Sequence, residues 1–445
     1  MATIIDSVDL NRYEVIKMSP YNDAPTNVAI TGQPISVTTD PGTGTKSAAL
    51  DAFGRLRVSN PFTLFDSSHR YKDNNLWNTS TASSGAAVFN ANEGLVDLNV
   101  TTTSGSKVYR ETTKVFSYQP GKSLLVMTTF VFNPAKANLR QRAGYYGAAN
   151  GMYLELDGTG GNSLSFVQRS SVSGALVETK VAQSAWNYDK LNGTGPSGMT
   201  LDITKAQILW MDFEWLGVGT VRLGFVIDGK FILCHQFHHA NLITSTYITT
   251  ASLPMRYEIE NTGATTSNST LKQICSTVIS EGGYQLSGLQ QSVNIPITAP
   301  RSTSVAGTYY PILSLRLKSS PNFLDAVIIL TALSVLGTGN GVNYNWKVIA
   351  SGATTAGTWV SAGANSAVEY NITGTSFTGG RTLASGYLNS SNQGSQSVDI
   401  LKEALFKFQL ERDTFTSTAF ELTLAVTSDG GGSIFASLDW EEISK

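Results

Sequence analysis

Two carboxylates two residues apart, Asp212 and Glu214 in the run QILWMDFEWLG at residues 207–217, come nearest to a catalytic spacing. On a strand, side chains repeat with period two, which sets this pair on one face about 7 Å apart. That separation suits an inverting glycosidase, in which a protonated acid and a water-activating base flank the scissile bond. The same chemistry needs an aromatic-lined cleft and one carboxyl held protonated. Neither is readable from sequence, so a polar face toward solvent or an interface is the preferred reading. Glu441 and Glu442 form a second carboxylate pair.

His235, His238 and His239 raise the question of a metal. Zinc needs three or four converging ligands, and no HExxH or Cys/His spacing supplies the remainder. Histidines satisfied by their neighbours are the expectation, with no metal or other cofactor. There is no GxSxG elbow and no GxxxxGK[ST] loop, and Gly337, Gly339 and Gly341 read as a turn and not as a phosphate cradle. No reaction is named by these residues, and the chain is read as non-enzymatic, with no catalytic residue. Recognition falls to aromatics in expected loops: Tyr145 and Tyr146 in RAGYYGAANG, and Trp186 and Tyr188 in SAWNYDKLNG. Their ring faces could stack on sugars or anchor protein contacts, while capping of a core is an equal alternative. Arg55 and Arg57 flank a leucine and precede Phe62 and Phe65. They are candidates to clamp acidic groups of a neighbouring subunit, against the plainer reading of a solvated strand face.

The elements that would position these groups are strands. Residues 207–241 carry three apolar segments broken at Leu216-Gly217-Val218-Gly219 and at Asp228-Gly229. Asp-Gly between alternating hydrophobics is a strong hairpin signal, so a three-stranded meander is predicted. Leu209, Met211, Phe213 and Trp215 take one face of its first strand and Ile208, Trp210, Asp212 and Glu214 the other. Bulk on both faces places that strand deep in a sandwich. Between residues 76 and 284, candidate strands recur about every ten residues with Gly- and Asn-rich turns, the pattern of a sandwich or barrel. Residues 302–445 repeat the pattern as a second sandwich, with one expected helix at 396–405. Residues 1–48, with Pro20, Pro25, Pro34 and Pro41, read as an extended arm. Residues 49–75 read as a linking strand segment and 285–301 as a linker.

Composition agrees with this all-β reading. Charged residues are 14%, below the ~25% of typical globular chains. A net charge of −2 offers no basic stripe for phosphates, so nucleic acid is not an expected partner. The N-terminal MATIIDSVDLNRY lacks the pattern of a signal peptide. The apolar run at 326–336 is far short of the ~20 residues of a membrane helix. Synthesis in the cytoplasm without membrane insertion is therefore expected. Cys234 and Cys275 are too few for a disulfide framework and read as free thiols, although a pairing depends on separation in space.

Four strings, DAFGRLRVSNPFTLFDS (51–67), RYEIENTG (256–263), STLKQICSTVISEGGY (269–284) and SAVEYNITGTSFTGGRTLASGY (366–387), resemble virion structural proteins of tailed bacteriophages, marine ones especially. The resemblance implies a multi-copy virion component working as head decoration, neck or tail fibre. The central segment also resembles the concanavalin-type jelly roll in its strand, Asp228-Gly229 turn and second strand. The expected fold is an N-terminal arm, a jelly-roll-like sandwich and a C-terminal sandwich. The expected partners are copies of the same chain, with a trimer as the form considered, and other capsid or tail components. A host-surface glycan is the further candidate. The competing functions are a carbohydrate-binding adhesin or tail receptor-binding protein, and a glycan depolymerase.

Overall fold

The computed structural model describes residues 36–37, 46–47, 60–71, 74–283, 288–320, 322–391 and 409–444. The chain divides into two compact units, residues 1–58 and 59–445. Of the first, Ser36–Val37 and Lys46–Ser47 are described and pair antiparallel. Most of the expected arm, Arg55, Arg57 and the expected helix at 396–405 lie outside the described residues.

The second unit is built almost wholly of antiparallel strands around two hydrophobic cores. Its one described helical turn is Gln183–Ala185, three residues long. In the first sandwich, a seven-stranded sheet runs in the order Val177–Ala182, Ser163–Ser170, Gly151–Asp157, Leu139–Tyr146, Met255–Asn261, Lys107–Thr112 and Trp77–Ala82. The facing sheet has eight strands. Its order is Lys230–Phe237, Val221–Ile227, Gln207–Phe213, Leu124–Val131, Ser269–Ser280, Leu95–Val100 and Ala86–Asn90, with Phe62–Ser68 on the far end of Ser269–Ser280. Strands distant in sequence thus become neighbours, as 124–131 and 269–280 do, which gives the crossed connections of a jelly roll.

Alternation explains which side each strand buries. Leu209, Met211 and Phe213 from Gln207–Phe213, and Met152, Leu154 and Leu156 from Gly151–Asp157, all enter the shared core. The Asp228-Gly229 turn has φ of +52° and +72°, the double positive geometry that a type I′ hairpin requires. The meander over 207–241 is therefore present as expected. Residues 142–146 (RAGYY), expected as loop, instead belong to the central strand Leu139–Tyr146.

The second sandwich pairs a five-stranded sheet with a six-stranded one. Leu289–Asn294, in a stretch expected as linker, is a strand of the former, paired to Ser433–Ser444. The two sandwiches meet where Tyr109 packs on Phe415 at 5.1 Å and Thr414 Oγ1 donates to the Thr112 carbonyl at 2.9 Å.

Candidate functional site

The outward face of the eight-stranded sheet carries the carboxylate pair, on rows fixed by strand register. Ile208 lies between Val226 and Thr129, Trp210 between Gly224 and Met127, and Asp212 between Arg222 and Leu125. The edge strand continues the rows, with Phe231 beside Val226 and Gln236 beside Arg222. Their chain neighbours Leu209, Met211, Phe213, Leu223 and Phe225 fill the core, so these residues must face away from it. Expected to be deep in the sandwich, the second face of this strand instead opens outward.

Gly224 makes the middle of the face possible. A Cβ there would stand 1.9 Å from the Ile232 carbonyl oxygen and 2.9 Å from Trp210 Nε1, so only glycine lets the indole lie across this strand. Trp210 Nε1 donates to the Phe225 carbonyl at 3.3 Å, and Phe231 meets its ring edge-on at 5.6 Å. Trp210 is 7% exposed beneath its neighbours, while Phe231 is 52% and Ile208 36% exposed. Beyond Ile208 and Val226 the face runs into a cleft of about 500 Å³ walled by residues 200–202 and 206–208. From Ile208 to Glu214 the strip is about 20 Å long at strand rise.

At the other end of the strip Arg222 bonds Asp212 through Nη2 and reaches Glu214 Oε1 at 3.2 Å. Burial pushes the Asp212 carboxyl up to about 6; Arg222 opposes the rise, and the neighbouring Glu281 and Glu214 reinforce it. Asp212 Oδ1 and Arg222 Nε are both buried without a hydrogen-bond partner in the chain. One carboxyl is thus held near neutrality beside an exposed one.

The rim is supplied by a residue flagged from sequence. Tyr188 is 48% exposed, and its hydroxyl donates to Gln236 Oε1 at 3.1 Å. Asn187 Nδ2 donates to the Gln236 carbonyl at 2.9 Å and fastens this loop along the edge strand. The other flagged aromatics are not loop residues with open faces. Tyr145 and Tyr146 end a strand and are fully buried, the former with its hydroxyl on the Phe116 and Ala251 carbonyls. Trp186 stacks on Phe166 at 4.4 Å and closes the end of the core. Phe65 packs between Trp77 and Phe116, and Phe62 is half-buried beside it.

The histidines diverge. His235 accepts from the Asn187 amide at 3.4 Å, His239 stacks on Tyr247 at 3.9 Å with contacts to Gly219 and Gln168, and His238 is exposed. Among the described residues no group of three or more His, Cys, Asp or Glu could hold a metal ion. Cys234 and Cys275 are free thiols. Glu442 holds Ser366 Oγ and the Ala367 amide, and Glu441 holds the Gly288 amide, so that pair organises the second sandwich.

The seven-stranded sheet presents a different outward face. Arg142 lies between Glu155 and Glu258, and Arg140 between Asp157 and Glu260. Arg142 Nε bonds Glu155 at 2.7 Å and Nη1 reaches Glu258 at 3.4 Å; Arg256 bonds Glu258 at 2.7 Å and reaches Glu111 at 3.2 Å. Arg169 bonds Glu178 at 2.7 Å and lies over the Tyr153 and Tyr146 rings. Burial would raise Glu258, but Arg256, Lys107 and Arg142 hold it far below the usual carboxylate range. Glu178 is held at about 2, its burial outweighed by Tyr153, Arg169 and Arg142. Glu258 and Glu178 are committed to cations and are poor proton donors.

No family model matches the chain, and no curated protein sequence is similar to it. Among solved structures, it is similar to the Emp47p carbohydrate recognition domain, at 14% identity over 47% of this chain and 90% of that one, with a TM-score of 0.30. It is similar to a Bacillus licheniformis β-glucanase at 13% identity over 48% and 96%, with a TM-score of 0.32. A conserved carbohydrate esterase of the Shiga toxin-encoding bacteriophage phi24B matches at 14% identity over 50% and 100%, with a TM-score of 0.30. The expectation of a non-enzymatic chain is corrected here, because glycan hydrolases stand among the structures it is similar to.

Proposed function

We propose that the chain is a carbohydrate-binding protein that takes a glycan along the outward strip from the cleft at Ile208 to Glu214. One observation carries this reading: the exposed rings of Phe231 and Tyr188 stand on one sheet face with an arginine–carboxylate cluster whose Arg222 and Glu214 side chains are 30% and 50% exposed. A sugar presents C–H faces that pack on rings and hydroxyl pairs that bridge such groups, and the strip offers both along one line. The resemblance to virion proteins adds a setting: a tailed-phage particle, where the chain acts as an adhesin or receptor-binding protein among copies of itself and other capsid or tail components. Probing a glycan array with the labelled full chain tests the binding. Oligosaccharide signals lost in Phe231→Ala support the reading, and a blank array, or one unchanged by that substitution, removes it. Immunolabelling of particles tests the setting.

The raised Asp212 carboxyl favours a second reading, cleavage of the bound glycan. Asp212 would protonate the leaving oxygen as its bond to the sugar breaks. Glu214, held by the same Arg222 nitrogen and so too near for the water of an inverting pair, would bond to the anomeric carbon as a retaining nucleophile, water then hydrolysing the glycosyl ester. Polysaccharide cleavage should then fall as pH rises through about 6 and vanish in Asp212→Asn. Cleavage that survives in Asp212→Asn excludes this assignment.

A further inference from the structure

We propose a second ligand site in the seam between the two sandwiches, shaped for a single neutral sugar ring. A cavity of about 230 Å³ opens there, walled on one side by Tyr118 and Trp215 and on the other by Asn322, Phe323 and Asp325. It is smaller than the ~300–1,000 Å³ of drug-sized sites and far larger than the ~30 Å³ share of one water. Size alone therefore points to one small ring.

The chemistry of the walls narrows the class. Trp215 and Tyr118 meet edge to face at 5.6 Å and 85°, which gives the cavity an aromatic corner. Asn322 Oδ1 accepts from the Leu324 amide at 3.1 Å, and its Nδ2 is the N–H donor among the walls. Across the cavity Arg412 Nε bonds Asp325 Oδ1 at 2.9 Å and neutralises the carboxylate, leaving Oδ2 to accept from hydroxyls. The paired charge gives no reason for a cationic ligand, and the carboxylate disfavours an anionic one. Ring faces, an N–H donor and a carboxylate acceptor together fit an uncharged pyranose, which has apolar faces and hydroxyls that both donate and accept.

This site does not depend on the outward strip. Ligand-observed saturation-transfer NMR on the full chain, with glucose, galactose, mannose, fucose and N-acetylglucosamine as probes, tests it. At least one sugar should show transfer. Its affinity should fall roughly 10-fold in Asn322→Ala, which removes the donor, and similarly in Asp325→Ala. Tyr387→Ala, at an exposed ring of the second sandwich outside both sites, should leave it unchanged. Transfer from none of the probes, or affinity that survives both seam substitutions, overturns the seam site. Affinity lost only in Phe231→Ala also overturns it, while upholding the strip.

Discussion

On the outward face of the seven-stranded sheet, Arg142, Arg256 and Arg169 each sit between or against carboxylates. On the opposite outward face, a single arginine is shared by Asp212 and Glu214, and two polar atoms go without partners. Both faces belong to one sandwich and both have charges at alternate strand positions. The difference lies in stoichiometry. Where several cations converge on one carboxylate, as Arg256, Lys107 and Arg142 do on Glu258, burial is offset and the charged form is held, which leaves little capacity to accept a ligand. Where one cation serves two carboxylates, burial wins at Asp212 and raises its carboxyl toward the protonated form.

The comparison can be broken most forcefully at Arg142. Arg142→Ala leaves buried Glu155 with Lys180 and Glu258 with Arg256 and Lys107, and should cost about 2–3 kcal/mol in urea unfolding, without touching glycan binding. A loss below about 1 kcal/mol would mean that this face is solvated and its ion pairs unimportant.

Acid should act on the two faces with opposite signs. Glu178 and Glu258 have folded-state pKa values below their ordinary 4.5, so their contribution is present above that value and is lost as pH falls toward 2. Asp212 stands at about 6 against an ordinary 3.8, so its contribution is present below about 4 and is lost as pH rises through 6. Asp212→Asn should therefore remove a stability decline between those values, on the order of 2–3 kcal/mol at most. Unfolding free energies across the pH range check this, and an unchanged profile in the variant would remove the claim that burial governs Asp212.

Two smaller effects sharpen the contrast. Phe231→Ala should weaken oligosaccharide binding at least about 10-fold, a difference of ~1.4 kcal/mol, because the ring is half-exposed and serves the ligand more than the core. Glu214→Gln, at a carboxylate exposed on the rim, should change stability by less than about 0.5 kcal/mol, as calorimetry would show.

Much of the first sandwich was legible because local signals and tertiary role agree. The run at 207–241 has alternation and an Asp-Gly turn, and the shared face of Asp212 and Glu214 follows from period two alone. Leu139–Tyr146 was missed because LRQRAGYY looks polar and flexible when read alone. Its arginines are matched by carboxylates on strands Gly151–Asp157 and Met255–Asn261, the latter more than 100 residues away, and no local pattern reveals such partners. Gly144 looked like a loop residue, yet a Cβ there would come within 2.5 Å of the Met152 carbonyl oxygen, so glycine is what the close strand pairing demands. The aromatics failed for the same reason. Whether Tyr145 or Phe231 shows its ring to solvent is decided by which sheet face it joins, and Phe231 drew no notice within an apolar strand. Tyr188 was found because its loop is short and polar, and the fold brings it to the rim through Gln236.

The central claim, that the outward face of the eight-stranded sheet is where glycan binds, is tested most directly by titrating an array-selected oligosaccharide into three proteins: the native chain, Phe231→Ala, and Tyr387→Ala. Tyr387, 78% exposed on the second sandwich, controls for the loss of any surface ring. The account predicts at least a roughly 10-fold loss in Phe231→Ala and native affinity in Tyr387→Ala. Native affinity in Phe231→Ala, or an equal loss in both variants, would contradict it.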